Sequence, residues 1–261
     1  MLFSSAGRLI FQEPEAPVKP VSLPSPAAEE SPRLARGSPS GNHGCPSCFS
    51  RAGAGMIGAM SGFRVGIDSY CLQPLGLSHF QVLEWAARNG ARGVQFSEGW
   101  PEERGDPDPS LLDDLAAQAR DMRLYLEWGG GQHIPFDLAK NTPKDILASN
   151  RRAAEQARRL GAVTVRSCSG GLMRWKEENP PTEAYLRETA RALREQEDML
   201  RDNGVVLALE THFEFTTFEL LRLFEMCGAA PGGCFGICLD TMNLLTMLED
   251  PLSAAARVRD W

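Results

Sequence analysis

Six times between residues 63 and 261, a short run of β-branched and apolar residues closes on or beside a polar one and gives way to an amphipathic stretch of helical period. No other feature restricts the fold as sharply. The runs cover 63–68, 93–97, 123–128, 163–167, 205–210 and 235–240. The stretches between them predict helices over 78–89, 110–122, 142–160, 182–202, 216–227 and 250–260. Start and stop signals agree with these bounds. Thr216-Thr-Phe-Glu219 is a capping box, Ser110-Leu-Leu-Asp113 resembles one, Pro143 suits a first helical position, and Gly90 and Gly161 stand at exits.

Apolar strand interiors joined by helical crossovers imply a parallel sheet covered by helices. A doubly wound open sheet and a (β/α)8 barrel both satisfy that pattern. The first would carry a glycine fingerprint after its first strand, and Asp68-Ser-Tyr-Cys-Leu-Gln73 has none. A polar residue closing each strand favours the barrel, whose site is built at the strand C-termini. About 200 residues carry the repeat against the ~250 of a typical barrel. The expected fold is therefore α/β, of (β/α)8 TIM-barrel type, incomplete, with about six βα units present and the last two missing.

Residues 1–61 do not share this pattern. They hold 8 of the 18 prolines and no strand or helix period, so they are expected to form a disordered Pro/Ser/Gly-rich tail ahead of a partial barrel over 62–261. Cys45-Pro-Ser-Cys48 lies in that tail, with no second Cys or His pair at zinc-finger spacing. The formal charge of −7 supplies no basic field for nucleic acid, and no apolar run approaches the ~18 residues of a membrane span. Seven cysteines, an odd number, and an N-terminus without a secretory leader predict a reducing compartment, the cytoplasm.

Closing a barrel gathers its strand ends at one rim. Asp68, Ser97 with Glu98, Glu127, Ser167, Glu210 and Asp240 would meet there. Carboxylates crowded together raise one another's pKa, and a divalent cation relieves that repulsion. Glu210 and Asp240 are the sharpest pair, each ending an apolar strand, VVLALE and FGICLD. The competing reading is that each caps the following loop or pairs with an arginine such as Arg166.

Leu209-Glu-Thr-His212, Cys238-Leu-Asp-Thr-Met-Asn243 and Glu249-Asp-Pro251 resemble the xylose-isomerase-like TIM-barrel family of sugar isomerases and epimerases. Val65-Gly-Ile-Asp-Ser-Tyr70, Gly90-Ala-Arg-Gly-Val-Gln95 and Tyr125-Leu-Glu-Trp-Gly-Gly-Gly131 fit its first three strands, so the likeness covers about 63–261. The resemblance implies a divalent metal, Mn2+ or Mg2+ with Zn2+ or Co2+ as alternatives, held in part by Glu210 and Asp240. The family's other two metal ligands, after its seventh and eighth strands, have no counterpart before Trp261. Glu210 and His212 are the expected catalytic residues, and His133, Trp128 and Asn243 the expected substrate contacts. His133 follows a triple glycine, Trp128 could stack on a sugar face, and Asn243 stands where several relatives carry His.

The implied chemistry is enediolate-mediated isomerisation or epimerisation of a small sugar or keto sugar acid. A C-terminal truncation would make the chain a fragment. The alternatives are a non-catalytic remnant or sugar-binding protein and, further off, a keto sugar acid decarboxylase or an endonuclease acting at abasic sites. Open edges on the first and sixth strands would favour a homo-oligomer.

Overall fold

The computed structural model describes residues 64–100, 105–137, 142–169 and 173–261. Contacts divide the chain into Met1–Met56 and Ile57–Trp261, and every described residue lies in the second unit. The expected tail, with Cys45 and Cys48, lies outside the described residues.

Six strands form one sheet: β1 (Ile67–Asp68), β2 (Gly93–Phe96), β3 (Tyr125–Gly131), β4 (Thr164–Ser167), β5 (Val206–Glu210) and β6 (Phe235–Cys238). All neighbours are parallel and the spatial order is β1-β2-β3-β4-β5-β6. A doubly wound sheet reverses direction from its first strand, whereas a barrel adds each strand beside the last. The order therefore selects the barrel type. The sheet also curls. Gln95 Nε2 on β2 lies 3.9 Å from Cys238 Sγ on β6, although four strand spacings would hold them roughly 19 Å apart in a flat sheet.

Helices α1 (His79–Arg88), α2 (Pro109–Asp121), α3 (Ile146–Leu160), α4 (Thr182–Arg194), α5 (Glu197–Asn203), α6 (Thr217–Cys227), α7 (Thr241–Thr246) and α8 (Pro251–Val258) follow the strands. Capping boxes open α1 at Ser78 with Gln81 and α6 at Thr216 with Glu219. The core lies between sheet and helices, with Leu83, Phe96, Leu115, Trp128, Leu193, Leu207 and Phe224 almost wholly buried.

Three expectations change in detail. The third helix starts at Ile146, not residue 142. Asp145 accepts from the amides of Leu147 and Ala148 and so becomes the N-cap, while Thr142–Pro143 pairs antiparallel with Phe136–Asp137. The helix expected over 182–202 is two helices, α4 and α5. Between them, buried Gln196 turns inward, donating to the Ala192 carbonyl at 2.7 Å and meeting Asn150 of α3. The segment 241–246, not expected to be helical, forms α7 because Asp240 caps it.

Candidate functional site at the strand C-termini

Side chains alternate faces along a strand, and paired residues of parallel neighbours share a face. Asp68 pairs with Gln95 and Gln95 with Glu127. The pairings Arg166–Ala208 and Glu210–Cys238 extend the same face across β4, β5 and β6. One face of the sheet thus carries Asp68, Gln95, Glu127, Arg166, Glu210 and Cys238, while Phe96, Trp128 and Val165 point to the helix layer.

These side chains meet one another. Gln95 Nε2 donates to Glu127 Oε2 at 3.0 Å, and the Ser97 hydroxyl donates to Asp68. The Arg166 guanidinium forms an ion pair with Glu210 Oε2 and donates to the Ser97 carbonyl at 3.2 Å, so it reaches from β4 to both β5 and β2. Glu210 is buried, and Oε2 has that ion contact but no hydrogen bond. Burial pushes the Glu210 carboxyl above the usual carboxylate range. Arg166, the Cys168 thiol and His212 offset part of the shift, and the Asp240 charge adds to it. Burial pushes the Cys168 thiol up to about 12 and that of Cys238 to about 11, so both stay protonated at neutral pH.

His212 stands two residues beyond Glu210. Its Nδ1 is 3.1 Å from Glu214 Oε1, and Glu214 is 1% exposed. Burial disfavours the imidazolium, but the Glu214 hydrogen bond and the charges of Glu214 and Glu210 outweigh it and raise the pKa. His133 is held by Ser167, whose hydroxyl is 2.9 Å from Nδ1, and by the Ser169 hydroxyl, which accepts from the His133 and Ile134 amides. Burial lowers the His133 pKa to about 4, so the ring is neutral, and its buried Nε2 has no hydrogen-bond partner. Asn150 fixes this loop by exchanging hydrogen bonds of 2.7 Å with the backbone of Gln132.

The substrate contact expected of Trp128 requires correction. Its side chain is fully buried, its indole donates to Gln156 Oε1 of α3 at 3.0 Å, and Phe96 and His79 pack against it. Strand parity decides this: Glu127 takes the face that carries Glu210, so Trp128 must take the other. The triple glycine is also part of the strand and not a loop. A Cβ on Gly129 would lie 1.7 Å from the Ser97 carbonyl oxygen, so glycine there permits the close β2–β3 approach.

Asp240 is committed to α7, with Oδ1 accepting from the Met242 and Asn243 amides and Oδ2 from Asn243 Nδ2 at 2.9 Å. Asn243 therefore serves Asp240 directly. Glu210 and Asp240 suit a hard cation chemically, but their oxygens are engaged with Arg166, Cys168 and the α7 cap. Among the described residues no group of three or more His, Cys, Asp or Glu is arranged to hold a metal ion. As described, this donor set does not fit a divalent ion. Sequence reasoning passed over Glu214 and Cys168, and the only signal available was position, close after β5 and β4.

Residues 83–260 match the family described as xylose isomerase-like TIM barrel. The chain belongs to that family. Its fold is similar to D-psicose 3-epimerase, solved in the presence of D-fructose, with a TM-score of 0.60 and 15% identity over 75% of this chain and 70% of that one. It is similar to a probable 3-DHS dehydratase from Bacillus anthracis, with a TM-score of 0.59 and 14% identity over 76% and 70%. A 3-keto-D-glucoside 4-epimerase from E. coli has a TM-score of 0.59 and 13% identity over 76% of both chains. No curated protein matches the sequence significantly.

Proposed function

We propose that the protein is a sugar isomerase or epimerase, taking a small sugar or sugar acid and moving a proton beside its carbonyl through an enediolate. The Glu210 carboxyl carries this reading: it is buried at the last residue of β5, burial raises its proton affinity, and the Arg166 guanidinium faces its Oε2 on the strand-end side. A carboxyl so poised can take a proton from carbon and return it. His212, with Nδ1 anchored on Glu214, is the second proton carrier on that side. His133 is neutral and offers Nε2 to a hydroxyl, and Asn243 sets the orientation of Asp240. Family membership and the two epimerase-like folds support the same chemistry.

A divalent ion, Mn2+ or Mg2+ before Zn2+ or Co2+, would stabilise the charge of an enediolate. By family position Glu210 and Asp240 would be its ligands, but Arg166 on Glu210 and the α7 cap on Asp240 leave no site for it as they stand, so proton transfer falls to Glu210 and His212. We place the protein in the cytoplasm, in keeping with Cys71, Cys168, Cys227, Cys234 and Cys238 being free. Among the described residues no helix is long and apolar enough to cross a membrane.

Deuterium wash-in tests the reading. The chain, supplied with Mn2+ and a panel of keto-pentoses, keto-hexoses and keto sugar acids in D2O, should exchange the hydrogen next to the carbonyl. Glu210→Gln should lower the rate by about 10²-fold or more, the scale of a lost acid–base group. No exchange with any of these compounds would overturn the proposal. The contact between Glu210 and Arg166 favours one second reading, a protein that binds the sugar without turnover. Calorimetric binding with no deuterium incorporation would select it.

A further inference from the structure

We infer that Arg166 supplies the positive charge of this site and that the reaction needs no divalent ion. Its guanidinium, held between Glu210 and the Ser97 carbonyl, receives the oxygen that becomes negative in the enediolate. This role rests on the isomerase or epimerase reading above. Each carboxylate of the strand-end face already has donors of its own. Asp68 accepts from the Ser97 hydroxyl and from the Tyr70 amide, the latter at 2.8 Å. Glu127 accepts from Gln95 at 3.0 Å, and Asp240 from the Met242 and Asn243 amides. Glu210 faces Arg166, which among the described residues is the only lysine or arginine within the six strands.

Position makes Arg166 an electrophile as well as a counter-ion. One nitrogen contacts Glu210 Oε2 while another donates to the Ser97 carbonyl, so the planar group spans from β5 to β2. A guanidinium has more N–H groups than these two contacts use, and it stays charged at any physiological pH. The side chain is 14% exposed, which keeps it within reach of a small molecule while little water screens its charge. Removing a proton beside a carbonyl needs a base at the carbon and a positive donor at the oxygen, close together. Glu210 and Arg166, in direct contact, offer that pair. Glu210 takes the proton, the C–H electron pair becomes the C=C bond, and the C=O pair moves onto the oxygen beside Arg166. The guanidinium keeps all its protons. Return of a proton to carbon reverses the flow and restores a carbonyl.

The test is the deuterium wash-in described above, run on the full chain once with EDTA and once with Mn2+. The unaltered chain should exchange the hydrogen beside the carbonyl equally fast in both. Arg166→Gln should slow exchange by about 10²-fold or more, the scale of one lost oxyanion donor. Arg166→Lys, which keeps the charge but lacks the planar fork, should recover part of that loss. Exchange that appears only with Mn2+ overturns the inference and leaves the isomerase reading standing, as does an unchanged rate in Arg166→Gln. Should Arg166→Gln lose its cooperative melt because a buried carboxylate is left unpaired, Arg166→Lys decides. Slower exchange than in the unaltered chain then supports the role, and an equal rate overturns it. No exchange under either condition overturns the reading and the inference together. Water-proton relaxation supplies a readout without turnover, and it should find no Mn2+ held by the unaltered chain. Mn2+ bound by the unaltered chain but not by Glu210→Gln overturns the inference whatever the exchange rates.

Discussion

At the scale of single residues, the site consists of ionisable groups whose state is set by burial. His133 is the clearest. Its folded pKa of about 4 lies below the ordinary histidine value, so the unfolded chain binds the extra proton first as pH falls. His133 therefore costs no stability above about pH 6.5 and progressively destabilises the fold between there and pH 4. The full effect is on the order of 3 kcal/mol. We expect the urea midpoint to drop across that window and His133→Asn to flatten the drop. An unchanged pH profile in the variant would remove His133 from the account. Glu210, His212 and Asp240 were legible as candidates because each stands at or just beyond an apolar strand. Their partners were less legible: Arg166 appeared only as a competing explanation, and nothing in the spacing singled out Glu214 or Cys168.

At the scale of elements, strand parity and close backbone approach govern what the site can use. Gly129 lies against the Ser97 carbonyl, which also accepts from Arg166. Gly129→Ala should therefore separate β2 from β3 and abolish soluble expression. Gly130→Ala, whose added Cβ would lie no closer than 3.4 Å to a neighbour but at a φ of +81°, should cost about 1 kcal/mol and leave a folded protein. Comparable damage from both would show that the close approach is not what matters. Thr216→Ala removes a cap that serves Glu219, itself paired with Arg174, and should lower stability by about 1 kcal/mol in thermal melts. The capping boxes and Gly161 could be read directly, since those signals are local. The division of α4 from α5 could not, because it depends on Gln196 meeting Asn150 from another helix.

At the scale of the molecule, β1 and β6 are the outer strands of the described sheet. Beside β6, the carbonyl of Trp261 accepts from the Ile237 amide at 3.3 Å, the position of a first rung on that edge. Met242, Leu245, Leu248 and Leu252 are exposed on α7, α8 and the turn between them. Exposed apolar side chains and an outer strand edge each promote association, so the chain should elute with a concentration-dependent mass in light scattering. Leu248 is 91% exposed and has a φ of 59°, in the left-handed region. Leu248→Asn should therefore raise stability by a few tenths to about 1 kcal/mol while weakening association, since Asn tolerates that conformation. A monodisperse, concentration-independent monomer for the unaltered chain would contradict this picture.

The amino-acid sequence by itself determined the number and order of the βα units, the crossover helices and the acidic residues closing the strands. Each follows from local periodicity, capping chemistry or the cost of a charge beside apolar neighbours. Tertiary structure decided which way those residues face and what they touch. The parity of β3 sent Trp128 into the helix layer and Glu127 to the side of Glu210. The curl of the sheet brought Gln95 to Cys238, and the reach of Arg166 from β4 supplied the counter-ion of Glu210. Such contacts join strands roughly 40 to 140 residues apart, so no local pattern encodes them: pairing of neighbouring strands brings Arg166 to Glu210, and the curl of the sheet brings Gln95 to Cys238.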